Sequence, residues 1–143
     1  MNYFKKLIST GQADKFIFYK IKKNDERVHF LNQRGIKFVT WGRTNKQTEH
    51  AWIDLDNKKS IELLMDKLSN NGHKRIAFIN VHRSFNYGAQ RKAAYESSIK
   101  NLQLQYSNEY YQDSLIETVE SGSAITKLSL IHISEPTRQP NIS

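Results

Sequence analysis

Short runs of continuous apolar residues alternate along this chain with stretches of helical periodicity, and that alternation constrains the fold most. Phe16-Ile17-Phe18-Tyr19 is apolar throughout, as a buried parallel strand should be. Asp25-Glu26 then opens a helix with Val28 and Leu31 on one face, Arg34 near its end and Gly35 as its stop. Phe38-Val39-Thr40-Trp41 is the next strand, so the first unit reads β-α-β. Gly42 to His50 is polar and too short for a crossover helix, and it leads into a third strand, Ala51-Trp52-Ile53-Asp54-Leu55. A parallel neighbour would need a dozen or more connecting residues. The chain is therefore expected either to turn back here or to pass towards a second sheet.

Beyond it, Asp56-Asn57 caps an amphipathic helix in which Ile61, Leu64, Met65 and Leu68 follow the i, i+3, i+4, i+7 rule, and Asn70-Asn71-Gly72 ends it. Arg75 to Asn80 reads as a fourth strand. A loop from Val81 to Gly88 precedes a helix with Arg91, Ala94, Tyr95, Ser98, Ile99 and Leu102 on one side. Alternating units of this kind predict an α/β architecture of parallel sheets flanked by helices, with right-handed crossovers. Past Leu102 the signal fades to a weak strand candidate near Leu115 to Val119.

At 143 residues the chain suffices for one modest domain or for a piece of a larger two-lobed one. Hydrophobic residues at 38% and charged residues at 25% are ordinary globular usage, which argues against wholesale disorder. The absence of cysteine excludes a disulfide framework, a thiolate zinc site and a cysteine nucleophile, and suits a reducing cytosol. The first residues lack the apolar run of a signal peptide or membrane span. A net charge of +8 raises the prior for anionic partners. The basic residues are scattered, however (Lys5/Lys6, Lys20/Lys22/Lys23, Lys58/Lys59, Lys74/Arg75), and form no stripe with interleaved aromatics, so the chain reads as basic everywhere.

Catalytic patterns are missing. There is no G-x-S-x-G, P-loop or G-x-G-x-x-G, and His29, His50, His73, His82 and His132 show no metal-ligand spacing. Asp54-x-Asp56 resembles an acid/base or metal pair, but its place at a strand end entering a helix is explained by helix capping from Asp56 or Asn57.

Several motifs, in order, resemble the core of the lactose-repressor/galactose-repressor (LacI/GalR) family of bacterial transcription regulators. Ala13-Asp14-Lys15-Phe16-Ile17-Phe18 is similar to the family's "DG-apolar-apolar" approach to a strand, with Lys15 for glycine. Asp25-Glu26-Arg27-Val28, Leu31 and Gly35-Ile36-Lys37-Phe38-Val39 resemble "D-x-R-V-x-x-L-x-x-x-G-I-P-x-V", with Lys37 for proline, and Gly42-Arg43-Thr44 follows as in a sugar-regulator subgroup. Asp54-Leu55-Asp56-Asn57 and Gly72-His73-Lys74-Arg75-Ile76-Ala77 resemble "V-D-x-D-N" and "G-H-R-R-I-A". Arg91-Lys92-Ala93-Ala94-Tyr95 resembles "R-x-x-G-[FY]", with Ala94 for glycine. The resemblance covers roughly residues 3 to 125.

The resemblance implies a partial periplasmic-binding-protein-like type I fold with two incomplete lobes: residues 1–55 from the N-terminal lobe and residues 56–127 from the C-terminal lobe of an effector-binding core. The helix-turn-helix, the hinge helix, the first β-α-β and most of the second lobe have no counterpart here. Leu128 to Arg138 resembles a translated sequencing adapter, so residues 128–143 are expected to be a non-native tail. A cytoplasmic regulator is implied, more often a repressor. It would sense a sugar or related small-molecule effector, bind operator DNA through the helix-turn-helix that this segment lacks, and act as a homodimer, with no cofactor, no membrane association and no enzymatic activity. The rival from another class is a periplasmic sugar-binding protein of a transporter, which shares the fold. "G-H-K-R-I-A" and "D-x-D-N" favour the regulator.

By position in the family, Arg91 is the effector-binding arginine, whose planar fork engages vicinal hydroxyls or a carboxylate bidentately. Phe85, Asn86 and Tyr87 are expected in the loop beyond the fourth strand, at the edge where open α/β sheets bind ligands. There an aromatic ring can stack on a sugar while Asn and Tyr supply polar contacts; a plain solvent loop is the alternative. Trp52 either lines the cleft or packs in a core, and Arg43 either binds an anion or pairs with Asp54 or Asp56.

Overall fold

The chain's structure, a computed structural model, describes residues 2–45 and 50–114, together with 120, 123 and 124. Helix α1 (Asn2–Ser9) comes first, then strand β1 (Phe16–Phe18), helix α2 (Glu26–Gln33), and strands β2 (Phe38–Trp41) and β3 (Ala51–Ile53). Helix α3 (Asn57–Asn70), strand β4 (Phe78–Val81), helix α4 (Asn86–Asn101), a 3-10 turn at Asn108–Tyr110 and strand β5 (Tyr111–Ser114) follow. The order β1-β2-β3 makes one parallel sheet, and β4-β5 makes a second parallel pair. The fold is thus α/β, with parallel sheets flanked by helices.

The third strand corrects the sequence expectation: β3 neither turns back nor joins the second sheet. It pairs parallel with β2, Thr40 opposite Trp52 and Trp41 opposite Ile53. The strands are short, so returning to the start of β2 covers roughly 13 Å at about 3.3 Å per residue, a distance within reach of the few residues between Trp41 and Ala51. Gly42, at φ +104, turns the chain out of β2, and its amide donates to the Ile53 carbonyl at 2.8 Å.

Sequence signals explain most of the rest. Asp25 caps α2 by accepting from the Arg27 amide, Val28 and Leu31 are fully buried, and Gly35 adopts φ +65 just past the helix end. Helix α1 was not anticipated, although Phe4, Leu7 and Ile8 stand at helical spacing; Phe4 and Ile8 pack with Phe16, Phe18 and Phe30 around Val28, Leu31 and Phe38. This core covers only one face of the first sheet.

The second core gathers Ile61 and Met65 from α3, Ile76 just before β4, and Leu104 after α4, with Ala94, Tyr95 and Ile99 from α4 itself. Gly72, at φ +87, ends α3, and the His73 amide donates back to Leu68. Leu64 departs from expectation: at 59% exposure it lies outside the buried stripe, because α3 packs on α4 and no described element covers its other flank. The fourth strand starts at Phe78, not Arg75, because its pairing with β5 runs from Phe78 opposite Tyr111 to Val81 opposite Ser114. The strand candidate at Leu115 to Val119 and the tail 128–143 lie outside the described residues. The two cores are joined by an antiparallel bridge of Lys22 with Phe85, in which the Lys23 amide donates to Ser84 and the Asn86 amide to Ile21.

Candidate functional site

The C-terminal ends of all three strands of the first sheet converge on one cleft. β1 leads into Lys20, whose φ of 56 is a left-handed turn, and then into Ile21, which is wholly buried. Asp25 and Arg27 lock that turn. Asp25 accepts from the Lys22 amide at 3.1 Å and from the Arg27 guanidinium at 2.8 Å, while Arg27 reaches the Tyr19 and Lys20 carbonyls. Burial by itself would raise the Asp25 carboxyl, but the Arg27 hydrogen bond, the two backbone amides and the Arg27 charge together hold it below its usual value. The "D-x-R-V" motif is therefore a structural device that sets the end of β1.

The cleft encloses about 530 Å³. Ile17, Tyr19 and Lys20 come from β1 and the turn after it, Trp41 and Gly42 from the end of β2, and Asp54 and Leu55 from the end of β3. Asn57 opens α3, while Tyr87 and Arg91 project from the first two turns of α4. The lining joins flat aromatic surface to a few polar groups of both charges, the usual make-up of a small-molecule site. A larger depression of about 1110 Å³ lies at the opposite edge of this sheet, against Phe16, Phe38 and Ala51, the first residues of the strands. Ligands of open α/β sheets bind at the carboxyl ends of strands, which favours the smaller cleft.

One polar network runs along the cleft wall. Arg43 pairs with Asp54 at 3.2 Å, and its guanidinium lies 4.6 Å above the Trp52 ring. Asp54 also accepts from the Leu55 amide at 2.9 Å. The Asn57 amide, 3% exposed as a residue, donates to the Leu55 carbonyl at 3.0 Å and to Gln90 at 3.2 Å, and lies 3.4 Å from Asp54. Its oxygen accepts from Arg91 Nε at 2.9 Å, and the Arg91 guanidinium sits 5.1 Å over the Tyr87 ring.

Of the residues expected from sequence, Arg91 and Tyr87 are brought together on the cleft wall. Phe85 and Asn86 are not: both are buried. The expected loop ends early, since α4 begins at Asn86, and the bridge to Lys22 draws this segment under residues 21–23. Trp52 is half-exposed beside Arg43 and lies outside the cleft lining, as Arg43 does. Of the two alternatives for Arg43, the structure realises the ion pair with Asp54. Capping also resolves: Asp56 accepts from the Lys59 amide at 2.8 Å, leaving Asn57 with no capping duty. Sequence reasoning missed Tyr19, Trp41, Asp54 and Asn57 as wall residues. Their common signal is position: each lies at or just past the C-terminal end of a strand.

No protein-family model matches the chain. The HTH-type transcriptional regulator RafR of Escherichia coli is 29% identical over 89 residues, 62% of this chain and 26% of that protein. A solved regulatory protein of the LacI family from Chloroflexus aggregans superposes with a TM-score of 0.74 at 31% identity, over 93% of this chain and 47% of that one. The chain is similar to LacI-family regulators. A LacI transcriptional regulator from Bacillus cereus subsp. cytotoxis shares the fold more closely, with a TM-score of 0.83 at 24% identity, over 94% of this chain and 48% of that one. The cellobiose complex of the regulator CelR shares it with a TM-score of 0.76 at 20% identity, over 91% of this chain and 40% of that one. The chain spans about a quarter of the curated relatives it matches and 40–48% of these structures. The described residues include no helix long and apolar enough to cross a membrane.

Proposed function

We propose that the chain is part of the effector-sensing core of a cytoplasmic, non-catalytic transcription regulator of the LacI type, and that the cleft is one wall of its effector site. Residues 1–55 and 56–127 belong, in this reading, to two lobes that close on the ligand. The observation that carries it is the pairing of Arg91 with Tyr87 at the C-terminal edge of the strands, the guanidinium held at Nε by Asn57 and 5.1 Å over the ring. A cation lining the cleft beside the aromatic side chains of Tyr19, Trp41 and Tyr87 suits a polyhydroxylated ring: C–H faces stack on aromatics while vicinal hydroxyls take the fork.

Binding between lobes shifts the balance of conformations, and that shift would change operator affinity in a dimer carrying two DNA-binding heads. Sequencing the DNA upstream of codon 1 tests the regulator: an in-frame helix-turn-helix supports it, whereas an in-frame signal peptide points to a transporter's binding protein. Calorimetric titration with monosaccharides and disaccharides, cellobiose among them, tests the ligand class. Binding of anionic metabolites but of no sugar would overturn it.

A further inference from the structure

We propose that Asn57 is a positioning residue whose purpose is to aim the Arg91 guanidinium, registering it against the segment by which the chain passes from β3 to α3. The proposal rests on the reading of Arg91 as the ligand-binding cation. Asn57 occupies the first turn of α3, where Asp56 already supplies the cap through the Lys59 amide. The side chain is buried all the same, and burying a primary amide costs free energy unless its groups are hydrogen-bonded. Here they are. Nδ2 donates to the Leu55 carbonyl and to Gln90 Oε1, and Oδ1 accepts from Arg91 Nε at 2.9 Å.

These partners come from two places: Leu55 from the passage into α3, and Gln90 and Arg91 from α4. An apolar side chain of similar size would fill the space with no desolvation cost, so the amide's polarity is explained by what it holds. The bond to Nε fixes the guanidinium in its own plane, and the Tyr87 ring fixes the face of that plane. Among the described residues the terminal nitrogens take no hydrogen-bond partner, so a fork preorganised for a ligand would lose less freedom on binding.

The test reads Arg91 directly and needs no ligand. In the full 143-residue chain, the Arg91 Nε–H resonance is assigned by its disappearance in Arg91→Lys, and its exchange with water is followed by 15N NMR at mildly acidic pH. Asn57→Leu, which offers no acceptor, is expected to speed exchange by about tenfold, as fits the loss of one net hydrogen bond. Asn57→Asp keeps the acceptor and is expected to restore slow exchange, a rescue that a merely structural role would not produce. Should Asn57→Leu fail to fold, Asn57→Ser, whose hydroxyl is too short to reach Nε, carries the same expectation. Unchanged exchange in a folded Leu or Ser variant overturns the proposal, as does fast exchange in a folded Asp variant. Failure of the ligand reading looks different: Arg91→Lys would leave sugar binding unchanged while the dependence of Nε exchange on Asn57 persisted.

Discussion

Among the described residues Arg91 is held by one hydrogen bond and one ring contact, and a lysine there keeps the charge but loses both the Nε donor and the planar fork. Effector affinity in Arg91→Lys should fall by about 1.5–3 kcal/mol, the worth of a charge-assisted hydrogen bond. In the full-length regulator that the proposed function implies, operator affinity without effector should stay as it was. Calorimetry on the two proteins decides, and equal affinities would remove Arg91 from the site. Tyr95 makes a stability prediction of its own. Its ring is fully buried and its hydroxyl donates to the Ile76 carbonyl at 2.7 Å. Tyr95→Phe leaves that carbonyl unpaired and should cost about 1–3 kcal/mol in urea unfolding. Burial, then the nearby Tyr106 and Tyr110, push the Tyr95 hydroxyl up from 10.0 to about 12. Between those values the unfolded chain has released its proton and the folded chain has not. The contribution is therefore intact below pH 10 and is lost as pH rises towards 12. Urea midpoints measured across that range should fall more steeply for wild type than for Tyr95→Phe.

At the scale of elements, the two helices of the second half depend on single residues at their starts. Asp56→Ala removes the acceptor for the Lys59 amide and should cost about 1 kcal/mol, with α3 fraying first in amide exchange. Full protection at Lys59 in that variant would show that capping is not what holds α3. In α4 the sensitive position is Gly88, where a Cβ would stand 2.6 Å from the His82 carbonyl oxygen and 2.8 Å from that of Val81. These are backbone atoms at the end of β4 and cannot swing aside, so Gly88→Ala must move the helix off the sheet. A loss of about 1–3 kcal/mol is expected from such overpacking, and an unshifted thermal midpoint would contradict it. Because α4 carries Tyr87 and Arg91, the same displacement should also weaken binding at the proposed effector site.

For the whole molecule the governing fact is that, among the described residues, the first sheet is packed on one side only. Ile17, Trp41 and Ile53, on the face away from Val28 and Leu31, are 83%, 62% and 70% exposed, whereas a parallel sheet is ordinarily covered on both faces. An apolar face and two sheet edges that no described residue covers invite association. The isolated chain should therefore unfold over a broad range and self-associate at high concentration. Ile53→Lys, away from the cleft wall, should raise its solubility. Circular dichroism melts with light scattering provide the check; a sharp transition in a monodisperse monomer would contradict the expectation.

The amino-acid order alone determined the local events. The caps at Asp25 and Asp56, the stops at Gly35 and Gly72, the apolar strand cores and the helical stripes through Val28–Leu31 and Ile61–Met65 are readable because each depends on residues within one or two turns of one another. The family motifs carried the resemblance for the same reason: "D-x-R-V" is a local lock on the β1 turn, and "G-H-K-R-I-A" is a helix stop leading to a buried isoleucine. Tertiary structure decided the remainder. Whether β3 lay parallel beside β2 depended on the distance a short connection had to cover, which spacing rules drawn from longer strands misjudge. Phe85 and Asn86 were drawn inward by a bridge to Lys22, some sixty residues earlier in the chain. Asn57 met Arg91 only because α3 and α4 pack together. Contacts between residues far apart in sequence leave no periodic trace in either segment, so the cleft wall became visible only when the chain was folded.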